Sequence, residues 1–481
     1  MIKKSLLCVA VAAVGVLGIA TVLTGIVGCT SRTHHANAFS GGHNYLVTSG
    51  VEVNMILHTL ASSRAVSEEG FISFELPPGF NTEEYKTFDE NRFLAVAAHS
   101  LSTFGADVDT ASYSNVRRMI MRENRRPPKD AVRIEEFINY FSYNYPQPEG
   151  DASFSATFEM GQCPWNPAHQ LLLIGIQGKS IPLDDLPPSN FVFLLDNSGS
   201  MSGEMPLLRE SMTLLAGKLR PQDKLSIVTY AGDVKILLDS VGGSEQKKIK
   251  SVISGLTSKG FTPGGQGIVT AYDLAVKNFI KGGNNRVILV TDGDFNVGVS
   301  SESELISLIE KKRDTGVYLT TIGMGAGNYK DNKMKMLANK GNGNYIYLDS
   351  IREARNALVN EMTGRMYTLA KDVKFQLEFN PAHVFGYRLI GYELRKLRYQ
   401  EPEGDAPSRL LTFVLPAPPP QTANWNWASA VAEFALLLRD SAFKGAADFD
   451  TLRERAQHNL GTDPEGNRSE FLTLVATAKR L

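Results

Sequence analysis

Asp196, Ser198 and Ser200 place one carboxylate and two hydroxyls at alternate positions, directly after the apolar run Phe191 to Leu195. All three are hard oxygen ligands. Magnesium takes about six oxygens at roughly 2.0–2.1 Å in a near-octahedral shell. A loop leaving a strand can aim residues i, i+2 and i+4 at one such centre. Neutral serines fill coordination positions without adding charge, so the cation stays positive and can accept a carboxylate from outside the chain. A second reading stays open at this point, because Asp and Ser ahead of a helix are also ordinary N-cap residues.

The elements that must position these groups can be read around them. The run FVFLL is continuously apolar, as in a strand buried on both faces of a mostly parallel sheet. After it the chain turns through Gly199 into a helix, the place where open α/β sheets bind ligands. Met205 to Leu219 has helical spacing. Lys224 to Tyr230 and Val234 to Val241 read as two strands joined by a tight turn at Ala231-Gly232-Asp233. The pattern then predicts a helix over Lys247 to Leu256 and another over Ile268 to Ile280. A strand, Asn285 to Thr291, and a helix, Glu304 to Arg313, come next. Strand Val317 to Gly323, helix Asp331 to Asn339, strand Tyr345 to Leu348 and helix Ile351 to Met362 complete the series. Alternating strands and helices predict an α/β fold with a doubly wound, mostly parallel sheet, and the second hairpin strand supplies one antiparallel edge.

The D-x-S-x-S spacing resembles the metal-ion-dependent adhesion site of the von Willebrand factor type A family. That resemblance implies two further ligands, from two further loops. Thr262, in the Gly-rich SKGFTPGGQG before a helix, matches the family threonine, and Asp292, closing NRVILVTDG, matches the third-loop aspartate. It also implies a bound Mg2+, with Mn2+ or Ca2+ as alternatives, and a protein partner that presents an Asp or Glu to it. Further stretches are similar to a bacterial group of von Willebrand A lipoproteins: DVDTASYSNVRR, PPKDAVRIEEFINYF, CPWNP, GNGNY and AVAEFALLLRDS. This likeness extends from about Asn81 to Leu481. Such relatives carry a longer segment between Tyr392 and Leu397, and often Ser where Phe261 stands here. Some are labelled calcium-activated chloride channel homologues, but a single amino-terminal apolar segment offers no pore.

Lys3 and Lys4 precede an apolar run from Leu6 to Gly28 that ends in IVGC. This is an export signal, and IVGC resembles a bacterial lipobox in which Cys29 is lipidated. An uncleaved anchor is the alternative, since ~20 apolar residues span a bilayer. Either way the mature chain is expected outside the cytoplasm and held to a membrane, on the outer-membrane, periplasmic or cell-surface side. The expected organisation is a signal over 1–28, a polar tether over 29–82, a β-rich amino-terminal flank over 83–185, the von Willebrand A domain over 186–366, and a carboxyl-terminal domain of strands then helices over 367–481. His34 and His35 read as tether. Within the flank, Asp109 or Thr110 is expected to cap a helix from Ala111 to Met121. Strands are expected at 153–159, 170–177, Val373 to Phe379, Phe385 to Gly391, Lys396 to Tyr399 and Arg409 to Val414. Helices are expected at Ala428 to Arg439, Phe449 to His458 and Ser469 to Lys479. Strand-rich segments on both sides of the α/β domain suggest that it is inserted into one β domain, with two separate flanking domains as the alternative.

Of three cysteines, only Cys163 lies beyond the leader and lipobox, so the mature fold carries no intrachain disulfide. The formal net charge of −1 leaves no basic footprint for nucleic acid. GIQGKS lacks the first glycine of a phosphate loop, and Ser303 stands where a calcium loop starting at Asp292 needs Glu. There is no H-E-x-x-H and no G-x-S-x-G, and Asp294 has no histidine or second metal set beside it, so no enzyme is expected. The expected function is a membrane-anchored binding protein that uses the metal to capture a partner's acidic residue. A structural lipoprotein with a loop-stabilising metal is the main alternative, and a metal-dependent hydrolase is the remote one.

Overall fold

The computed structural model describes residues 5–14, 82–150, 152–259, 265–293, 302–360, 373–392 and 421–481. In chain order, β1 (Ser5–Val14), β2 (Leu94–Ala95) and β3 (Leu101–Gly105) precede helices α1 (Ala111–Met121) and α2 (Ile134–Asn139) and strands β4 (Phe154–Gln162) and β5 (His169–Gly178). Next come β6 (Ser189–Asp196), α3 (Met205–Ala216), β7 (Lys224–Ala231), β8 (Asp233–Gly242), α4 (Gln246–Ser254), α5 (Gly265–Lys277) and β9 (Asn284–Thr291). Then follow α6 (Glu302–Arg313), β10 (Val317–Gly323), α7 (Asp331–Lys340), β11 (Tyr345–Tyr347) and α8 (Ile351–Arg355). Strands β12 (Lys374–Glu378) and β13 (Val384–Ile390) and helices α9 (Ala423–Leu438), α10 (Phe449–His458) and α11 (Asn467–Ala478) close the chain.

The α/β fold class is borne out. A six-stranded sheet runs in the order β11-β10-β9-β6-β7-β8, with every neighbour parallel except the β7–β8 edge pair. Strand β6 explains its own continuous apolar sequence, since all eight of its residues are buried. Phe191, Phe193 and Leu195 pack with Met205, Leu208, Met212 and Leu215 of α3 on one face. Val192 and Leu194 pack with Ile268, Ala271 and Tyr272 of α5 on the other. Each fully buried side chain of this size contributes about 1.5–3 kcal/mol, so the strand that carries the D-x-S-x-S loop is firmly held.

The segments on either side of this body pair with each other. Strand β3 is antiparallel to β12, and β2 is antiparallel to β13. One hydrophobic core combines Tyr113, Phe137, Tyr140 and Phe141 of the amino-terminal flank with Trp427, Phe434 and Phe471 of the carboxyl-terminal helices. Phe141 meets Trp427 edge to face at 5.1 Å and 75°. The flank therefore holds helices α1 and α2 as well as strands. A second sheet, β2-β13-β1-β5-β4, places Ser5–Val14 of the apolar amino-terminal run between β13 and β5, parallel to both. Cys163 is buried in the shared core with Trp165. No helix among the described residues is long and apolar enough to cross a membrane.

Helix α3 begins at Met205 as expected, after a 3-10 turn over Gly199–Gly203. One local expectation differs from the structure. Neither Asp109 nor Thr110 caps α1 with its side chain; Asp109 instead accepts a hydrogen bond from the Tyr345 N–H at 2.9 Å. The hydrogen bond to a distant strand wins over the local cap. Cys29, the tether up to Asn81, Thr262, Asp294 and the expected strands at Lys396 to Tyr399 and Arg409 to Val414 lie outside the described residues.

Candidate metal centre

The site is assembled by parallel strand register. Strands β6 and β9 pair with Leu195 opposite Val290, which brings Asp196 level with Thr291 at the carboxyl edge of the sheet. Asp196 is fully buried, and Asp292, the next residue after β9, is 3 % exposed. Asp196 Oδ1 accepts from the Ser198 N–H at 2.9 Å, folding the D-x-S loop back on its own carboxylate. The Ser198 and Ser200 hydroxyls lie 2.9 Å apart, Ser198 buried and Ser200 exposed. The structure thus brings Asp196, Ser198 and Ser200 together and sets Asp292 at the same edge.

Two supporting residues were not singled out in the sequence. The Tyr230 hydroxyl donates to Asp196 Oδ2 at 3.0 Å, and the Thr291 hydroxyl donates to the same oxygen at 2.9 Å. A carboxylate oxygen has two lone pairs. Oδ2 is filled by these donors, so Oδ1 is the oxygen with capacity left for a cation. Burial raises the Asp196 pKa, while the hydrogen bonds from Ser198, Thr291 and Tyr230 pull it down. Burial also raises Tyr230 well above the usual phenol range, with Asp196 and Asp292 adding to the shift. Nothing along the chain marks Tyr230, which reaches Asp196 through the β6–β7 pairing.

Around this edge the backbone is tightly fitted. Gly293 has φ +104°, and a Cβ there would lie 2.5 Å from the Lys330 nitrogen. The loop after Asp292 therefore needs glycine in both conformation and space. The stem of the second loop is tied to the first: Lys259 N–H donates to the Asn197 carbonyl at 2.6 Å. Gly267 of α5 lets that helix close on Tyr230 and Leu194, whose atoms would be 3.1 and 3.2 Å from an added Cβ. The donor set is all oxygen, with one partly uncommitted buried carboxylate oxygen and adjacent neutral hydroxyls, and it fits a small divalent cation.

A second acidic group is filled differently. Asp107, Asp109 and Glu136 bring carboxylate oxygens within 4.8 Å of one another. Lys335 Nζ lies 2.9 Å from Asp107 and 3.5 Å from Asp109, and also binds Glu136. The ammonium supplies the positive charge a metal would bring. Burial, then Asp107, pushes the Asp109 carboxyl up to about 7, with Lys335 opposing. Between the ordinary carboxylate range and pH 7, the folded chain holds a proton there that the unfolded chain has released. Stability from this group therefore falls as pH rises through that window. Asp109→Asn keeps an acceptor for Tyr345 and removes the titration. Its melting temperature is expected to gain on the wild type as pH rises from 5 to 8; a difference between the two that stays constant over that range would contradict the assignment.

Residues 190–360 match the von Willebrand factor type A domain, residues 79–173 match the family described as von Willebrand factor, and residues 364–406 and 394–481 match the YfbK carboxyl-terminal family. The chain is 37% identical over 468 residues to the uncharacterized protein YfbK of Escherichia coli (strain K12), covering 82% of this chain and 81% of that protein. It belongs to this family of bacterial von Willebrand A domain proteins. The bovine inter-alpha-trypsin inhibitor heavy chain H4 is 27% identical over 173 residues, which are 34% of this chain and 19% of that protein. Among solved structures, a von Willebrand factor type A protein from Catenulispora acidiphila is 16% identical with a TM-score of 0.34, covering 47% of this chain and 51% of that one. Proximal thread matrix protein 1 of the mussel byssus, with a zinc-occupied MIDAS motif, is 20% identical with a TM-score of 0.30, covering 36% and 45%. Domains of the von Willebrand A type commonly bind a divalent metal at this motif and often bind proteins.

Proposed function

We propose that this chain is a membrane-anchored, extracytoplasmic binding protein. It holds Mg2+ through Asp196, Ser198, Ser200, Thr262 and Asp292 and uses the ion to take an Asp or Glu of a protein partner. The observation that supports this most is the convergence of Asp196, Ser198 and Ser200 at the sheet edge where β9 delivers Asp292. Three of the five ligands are neutral, so two aspartates offset the ion and leave it able to attract an external carboxylate.

The test is a crosslinking pull-down from native membranes with magnesium or with chelator. Capture of one protein is expected in magnesium and its loss in chelator; calcium, which prefers more ligands at longer distance, is expected to support it less well. Capture that ignores chelator would leave the metal as a stabiliser of loops. The anchor is tested separately by intact mass of the detergent-extracted protein, which is expected to lack residues 1 to 28 and to carry lipid on Cys29. Removal of those residues takes β1 out of the second sheet, so amides of β5 and β13 are expected to exchange faster than in an unprocessed Cys29→Ala precursor. A mature chain that still begins at Met1 would favour the uncleaved anchor.

A further inference from the structure

The amino-terminal flank reaches the rim of the metal centre. Residues Thr82 and Glu84 bond along the loop after β10: Thr82 N–H donates to the Gly327 carbonyl at 2.7 Å and Glu84 N–H to the Tyr329 carbonyl at 2.9 Å. Glu83 accepts from the Gly327 N–H at 3.0 Å. The Arg118 guanidinium of α1 stands 5.7 Å over the Tyr347 ring, whose hydroxyl donates to the Gly325 carbonyl. Gly325, at φ +78°, sits between two acids; an added Cβ would be 3.3 Å from Asp292 Cβ and 3.4 Å from Glu204 Cγ. The end of α1, the loop at Gly325 and Asp292 are therefore contiguous.

Arg122 lies one turn beyond Arg118, at the end of α1, and is exposed. Its neighbours are committed. Arg118 pairs with Glu83 and Glu123, and Arg125 pairs with the same two carboxylates. Arg122 has no ion pair within salt-bridge distance among the described residues. Glu204 is the acid that feels Arg122: burial raises its pKa, and Arg122, then Arg118, lower it.

We propose that Arg122 forms the second half of the partner-binding surface and receives a second carboxylate of an acidic peptide segment whose first carboxylate sits on the metal. This rests on the metal-capture reading above and narrows the partner from one acidic residue to a segment bearing several. Guanidinium and carboxylate form charge-assisted, often bidentate hydrogen bonds, and Arg122 is exposed to receive one.

The probes are fluorescein-labelled hexaglutamate and a matching peptide with one glutamate and five glycines, titrated onto the full chain in magnesium. Hexaglutamate is expected to bind more tightly. Arg122→Ala is expected to weaken hexaglutamate by about tenfold, the scale of one charge-assisted hydrogen bond. The single-glutamate peptide should be unchanged, and so should the magnesium-induced rise in melting temperature. Arg122→Lys should recover part of the loss. Equal effects on both peptides, or none, with binding still magnesium-dependent, would overturn the arginine surface and leave the metal reading standing. Hexaglutamate binding that is indifferent to magnesium and to Asp196→Ala would overturn both.

Discussion

Magnesium is expected to raise the melting temperature of the wild-type chain and to leave Asp196→Ala unmoved. A ligand that binds only the folded state adds about 2.7 kcal/mol at a hundredfold excess over its Kd. The substitution also has a cost without metal. It removes the acceptor of the Tyr230 and Thr291 hydroxyls and of the Ser198 N–H, all at a buried position. Each buried donor left without a partner costs about 1–3 kcal/mol. Asp196→Ala should therefore melt below the wild type in chelator and fall further behind in magnesium. Measuring both conditions separates the structural cost from the lost ligand. An equal magnesium shift in the two proteins would remove Asp196 from the site.

The largest effect on stability is expected at Arg117. This buried guanidinium donates to Asp349 at 2.7 and 2.5 Å, to Glu353 at 2.9 Å, to Glu470 at 3.0 Å and to the Tyr140 hydroxyl at 2.7 Å. It ties α1 of the flank to the last part of the α/β body and to α11. Arg352 joins the same Glu470 at 3.0 Å. Replacing Arg117 with Ala leaves buried carboxylates without their cation, a change that typically costs about 3–5 kcal/mol. Chemical denaturation should show that loss. Arg117→Met combined with Asp349→Leu and Glu353→Leu should recover part of it, because Glu470 keeps its pair with Arg352 and neither buried partner carboxylate is then left without its cation. An Arg117→Ala protein as stable as the wild type would mean that the cluster is not what joins these segments.

What could be read from the sequence was what is local or periodic. The β6 run, the D-x-S-x-S loop and the buried β9 strand each carry their signal within ten residues, and the six-stranded sheet follows from their alternation with helices. Long-range register was not legible. Tyr230 and Thr291 reach Asp196 only because β7 and β9 flank β6, and no spacing along the chain reveals that. The Arg117 partners lie up to 353 positions away. Helix α9 starts at Ala423, five residues before the expected Ala428. Thr422 caps it by accepting from the Asn424 N–H at 3.1 Å, and Trp425 is turned inward to donate to the Leu171 carbonyl at 3.0 Å. Tertiary burial of the two tryptophans extends the helix through a stretch that looks irregular in sequence. The helical spacing from Met205, by contrast, marked where α3 begins after the 3-10 turn.

The most direct test of the metal centre is anomalous diffraction from crystals of the mature chain grown with manganese. The expected result is one manganese peak at oxygen-ligand distance from Asp196, Ser198 and Ser200, with Thr262 and Asp292 completing its surroundings and no peak in an Asp196→Ala crystal. A peak among Asp107, Asp109 and Glu136 instead, or none near Asp196 at saturating manganese, would contradict it.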